Sequence, residues 1–119
     1  MTRILVVCTG NINRSAFAAA LLHRELGHAH SIRSAGFTAD GMEPPDRMAA
    51  AALEHGIDLT AHRSRLITAP DIEGADLVVC MDRTHPVRLA AVTPIAAERS
   101  FLMTELIQGL RADVGDGSL

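Results

Sequence analysis

Two runs of the chain, ILVVC (4–8) and DLVVCM (76–81), are short, apolar and rich in β-branched residues, the pattern of strands buried on both faces. Residues 15–26, SAFAAALLHREL, follow a different period. Phe17–Leu21 and Leu22–Leu26 are spaced as neighbours on one helical face, and Gly27 can stop the helix. A second short strand is expected over 31–35, ended by Gly36. After a loop with the pair Pro44–Pro45, Asp46 is expected to cap a helix reaching about His55, closed by Gly56. The segment IDLTAHRSRLI (57–67) predicts a loop with a short helix. Thr84 is expected to cap a helix over 85–91, with Pro86 in its first turn. Residues 100–103 predict a last strand, 104–111 a helix and the final DVGDGSL a turn-like tail.

Strands alternating with helices at this spacing imply βαβ units. The expected fold is α/β and three-layered: a short parallel sheet of about four strands with helices on both faces. Ligands of such sheets bind beyond the carboxyl ends of the strands. Cys8 ends the first strand and Met81–Asp82 end a later one, so both point to the same rim.

Composition narrows the functional classes. The 119 residues suit a single domain, 1–119. A net charge of −3 argues against a dedicated nucleic-acid or membrane-surface binder, and no apolar run reaches the roughly 18 residues of a membrane helix. The N-terminal MTRILVVC reads as a strand and not a signal peptide, which predicts a cytoplasmic protein. Two cysteines are too few for a disulfide framework or a cysteine-rich zinc site, and the histidines lack ligand spacing, so neither a metal nor a cofactor is expected.

The candidate chemistry lies in VVCTGNINRSA (6–16). A loop that leaves a strand at Cys8 and enters a helix near Ser15 can turn the N–H groups of Thr9, Gly10, Asn11, Ile12, Asn13, Arg14 and Ser15 inward as an anion cradle, aided by the helix N-terminus. Gly10 is expected to supply the backbone freedom. The planar fork of Arg14 can grip two oxygens of a tetrahedral oxyanion. The same positive potential favours an anionic nucleophile at Cys8, so one loop both binds phosphate and attacks it. Cys80, inside a strand, reads as a core residue.

These residues resemble the low-molecular-weight protein-tyrosine phosphatase family, whose loop is matched at Cys8, Gly10, Asn11, Ile12, Arg14 and Ser15. The resemblance extends through SAGF (34–37), PPDRMAAAALEHGIDLTAHRSR (44–65) and DLVVCMDRTH (76–85). It implies that Cys8 is the nucleophile of a phosphocysteine route, that Arg14 and the loop amides hold the phosphoryl oxygens, and that Ser15 donates to the sulfur. It also implies a supporting network of Asn11, Ser15, Ser34 and His62. The substrate would be a phosphorylated protein or small aryl phosphate carrying phosphotyrosine-like chemistry.

The chain departs from the family pattern in four places. The general-acid loop is matched by Asp113-x-x-Asp116 with Gly117 in place of proline, which makes Asp116 the candidate acid. The usual C-terminal helix is expected to be missing. Asn13 replaces a second loop cysteine, and Asp40 replaces an aromatic wall in a chain without tyrosine or tryptophan. Two other functions remain open on sequence alone: an arsenate reductase using an external thiol, and a catalytically impaired oxyanion- or phosphoprotein-binding domain.

Overall fold

The computed structural model describes residues 2–11 and 14–103. Four parallel strands form one sheet: β1 (Arg3–Val7), β2 (Ser31–Ala35), β3 (Leu77–Cys80) and β4 (Ser100–Leu102), in the spatial order β2-β1-β3-β4. The helices are α1 (Arg14–Leu26), α2 (Asp46–Glu54), α3 (Ala69–Glu73), α4 (His85–Val92) and α5 (Ala96–Arg99). The expected three-layer α/β architecture is therefore present. No helix among the described residues is long and apolar enough to cross a membrane.

The continuous apolar strands follow from cover on both faces. Alternate residues Leu5, Val7, Val78, Cys80 and Leu102 point to one side, where Ile72 of α3, Leu89 of α4 and Ala96 of α5 close over them. Ile4, Val6 and Val79 point to the other, against Ala18, Ala19 and Leu22 of α1. A third apolar group, Ala16, Ala52, Ile57 and Leu59, ties α1 to α2 and the loop after it. Because β1 is central, its carboxyl end at Cys8 opens in the middle of the rim. Main-chain bonds lock that corner: Cys8 N donates to Ala35 O at 3.4 Å and Met81 N to Val7 O at 3.1 Å.

Several local details differ from expectation. Residues 57–67 form no helix; the extra helix is α3, where Thr68 and Asp71 make a reciprocal capping box and Pro70 sits in the first turn. Pro45, not Asp46, is the residue before α2, and Asp46 makes no side-chain cap. Thr84 likewise makes no cap to α4. Its own N–H and hydroxyl are held by the Asp82 carboxylate at 2.8 and 2.9 Å, a tight turn that consumes the hydroxyl. The expected helix over 104–111 lies outside the described residues.

Candidate active site

β1 delivers Cys8 to the rim, and α1 begins six residues later at Arg14. Between them the chain passes from strand to helix. The left-handed turn this requires falls on Asn11, with φ of 56°, and Gly10 is not among the described residues with positive φ. Asparagine tolerates that region better than other residues bearing a side chain, which is why the expected freedom of Gly10 is not needed there.

The turn aims hydrogen bonds at the sulfur. Asn11 N donates to Cys8 Sγ at 3.2 Å and Ser15 N at 3.4 Å, and the Ser15 hydroxyl lies 2.9 Å from the same sulfur. The Ser15 hydroxyl also donates to Asn11 Oδ1 at 2.8 Å. From outside, His62 Nε2 donates to the Asn11 carbonyl at 2.6 Å, and so carries its proton on that nitrogen. Cys8, Asn11 and Ser15 are all buried, and Asn11 Nδ2 has no hydrogen-bond partner among the described residues.

Of the residues named from sequence, Cys8, Asn11, Ser15 and His62 thus meet in one network. Ser34 stands on β2 opposite Val6 and shares a groove wall with His62, without a hydrogen bond to Asn11 among the described residues. Thr9 and Gly10 lie in the loop, and Arg14 opens α1 as an exposed residue. Ile12, Asn13 and Asp116 lie outside the described residues.

Gly36 explains the SAGF corner. A Cβ there would stand 2.8 Å from the Asn11 nitrogen and 2.9 Å from both Asn11 Cβ and the Gly10 carbonyl carbon. Two backbones are in direct contact, so no side chain fits. The neighbouring Phe37 and Thr38 amides both donate to Thr9 O, at 2.7 and 3.2 Å, clamping the loop from the β2 side.

A residue that sequence reasoning left without a role completes the clamp. His85, fully buried at the start of α4, accepts the Asp82 N–H on Nδ1 at 3.1 Å. Its proton must therefore be on Nε2, which donates to the Thr9 hydroxyl at 3.1 Å. Burial pushes its pKa down against the opposing pull of Asp82, and Arg14 and Arg88 push it further down. The imidazole is neutral and fixed as one tautomer. Asp82, exposed beside it, is held below the ordinary carboxylate range by the Thr84 N–H and hydroxyl, with the charge of Arg14 adding to their effect. The spacing Asp82-x-x-His85 at a strand's carboxyl end was the available signal.

The family model described as low molecular weight phosphotyrosine protein phosphatase matches residues 3–117. The chain belongs to that family. Membership makes it a cysteine-dependent phosphatase. A protein-arginine-phosphatase of Geobacillus stearothermophilus is 35% identical over 115 residues, covering 96% of this chain and 77% of the relative. The probable low molecular weight protein-tyrosine-phosphatase EpsP of Ralstonia nicotianae is 37% identical, covering 88% and 72%. The solved tyrosine phosphatase Wzb from Escherichia coli K30, in complex with sulphate, superposes with a TM-score of 0.79 at 31% identity, covering 84% of this chain and 70% of that one.

Two outcomes test the site. Gly36→Ala should keep the circular-dichroism spectrum and lose most of its affinity for inorganic phosphate, measured by calorimetry, because the loop must move to admit the methyl group. The second concerns pH. The unfolded chain protonates His85 near its ordinary value of 6.5, whereas the folded chain resists protonation. Stability should then fall as pH drops below about 6.5. His85→Asn should flatten that part of the melting-temperature profile.

Proposed function

We propose that the phosphatase hydrolyses phosphotyrosine or small aryl phosphates through a phosphocysteine intermediate on Cys8. The observation that carries this reading is the convergence of two main-chain N–H groups and one hydroxyl on a single buried sulfur. Main-chain N–H groups aimed at a sulfur orient it and favour it as an attacking group. In the first step the sulfur forms a bond to phosphorus as the ester P–O bond breaks. The guanidinium of Arg14 and the loop amides hold the three phosphoryl oxygens. Asp116 gives its proton to the leaving oxygen, then takes one from the water that cleaves the S–P bond and releases inorganic phosphate and the thiolate.

Ser15 has one hydroxyl proton and two neighbours, the sulfur and Asn11 Oδ1. A half-turn of the Asn11 amide removes the conflict. Nδ2 then donates to Ser15 Oγ, and the hydroxyl proton is released to the sulfur. This is the arrangement an ionised sulfur requires as nucleophile and as leaving group.

Cys80 bears only on an internal thiol relay, which arsenate reduction with an external thiol would not use. Burial pushes this fully enclosed thiol up to about 12, so it is poorly suited to a thiol relay.

A second reading, hydrolysis of phosphoarginine, is favoured by the rim. The Phe37 ring is covered by the Arg88 guanidinium at 4.3 Å, which leaves less aromatic surface for a phenol, while the exposed Asp82 offers a carboxylate suited to a guanidinium.

Cys8→Ser should abolish release of phosphate from p-nitrophenyl phosphate and leave binding of inorganic phosphate intact. Retained turnover would refute the cysteine mechanism. Phosphate binding with no turnover in the unaltered protein would indicate a binding domain. Comparing phosphotyrosine with phosphoarginine peptides decides between the two substrates.

A further inference from the structure

β2 is an edge of the sheet, and its outer side is paired only at one end among the described residues. There Gly36 N donates to Arg65 O and Ile67 N to Gly36 O, both at 2.8 Å. Residues of odd number face inward: Ser31 N donates to Thr2 O, and Ala35 O accepts from Cys8 N. Strand periodicity therefore turns the N–H and C=O of Ile32 and Ser34 outward, continuing the line that Gly36 begins. Edges of this kind are templates for another strand.

A groove of about 530 Å³ runs along this edge. Three consecutive strand residues, Ile32, Arg33 and Ser34, line it, so it follows the strand's edge and does not lie on one face. Its opposite wall is the small-residue stretch Ala16, Ala19 and Ala20 of α1, which leaves room for a polypeptide backbone. The polar lining carries more positive than negative charge: Arg33, Arg63 and Arg65 against Asp58, whose Oδ1 accepts the Thr60 N–H and hydroxyl at 2.9 and 2.7 Å. Arg63 and Arg65 each share one carboxylate, Glu43 and Asp71, whereas Arg33 is exposed and makes no ion pair among the described residues.

From the open main-chain edge and this charge we propose that the groove docks an extended acidic segment of a partner protein. The segment adds as a strand along Ile32–Ser34 and sets carboxylates against Arg33 and its neighbours. Main-chain bonds supply affinity in such additions, and the side chains supply selection. None of Cys8, Thr9, Gly10, Asn11, Arg14 and Ser15 lines the groove, so its occupant need not enter the phosphate cradle.

The probe is a fluorescent heptapeptide alternating glutamate and valine, followed by anisotropy with the full chain. The expected result is saturable binding that weakens with salt, falls about tenfold in Arg33→Glu, and is lost when alternate peptide amides are N-methylated. Hydrolysis of p-nitrophenyl phosphate by Arg33→Glu should match the parent, which shows that the variant is folded. Four results would overturn the proposal: no binding; binding indifferent to Arg33→Glu; binding indifferent to N-methylation; or displacement by inorganic phosphate, which would place the peptide in the cradle. Displacement by free glutamate at equal carboxylate concentration would mark a site for small anions and would overturn it as well.

Discussion

The left-handed residue between strand and helix sets the geometry of everything around it. Placing Asn11 at a φ of 56° costs on the order of 1 kcal/mol. Three hydrogen bonds hold it: its main-chain N–H to Cys8 Sγ, its side-chain amide with the Ser15 hydroxyl, and its carbonyl from His62. Each buried bond contributes roughly 1 kcal/mol net, so together they outweigh the strain. Asn11 is thus set beside the sulfur before any ligand arrives. Catalysis by fixed dipoles depends on that order of events, because reorganisation during the reaction would consume the gain.

The sheet supplies the frame. With β1 central and parallel to both neighbours, the corners at Ala35–Gly36 and Met81–Asp82 flank the loop from two sides. One corner holds Thr9 through its carbonyl, by way of Phe37 and Thr38, and the other through its hydroxyl, by way of His85. A single loop residue is therefore tied to both neighbouring strands. The neutral, single-tautomer imidazole suits this task, since it donates in one direction and accepts in the other without placing another charge beside Arg14.

Much of this was legible in the sequence because the deciding interactions are local. Cys8, Arg14 and Ser15 lie close together in the chain, and β1 and β3 announce themselves by unbroken apolar runs. What escaped was either too short or too distant. α3 and α5 span five and four residues, less than the two turns a periodicity needs to show, and only the Thr68–Asp71 box marked the first of them. The role of His85 depends on a main-chain N–H at 82 and a hydroxyl at 9, 76 residues away. The left-handed position was placed on Gly10 by propensity, and tertiary hydrogen bonds moved it to Asn11.

The backbone contact at Gly36 has a consequence for how the rim can diversify. Position 36 tolerates no side chain, yet Thr38, Asp40 and Met42, a few residues onward, are all exposed. Thr38 remains tied to the loop through Thr9, but side chains at Asp40 and Met42 can change without meeting the Gly36–Asn11 contact. The rim thus has room for side-chain variation at two exposed positions while the backbone contact beneath it stays closed.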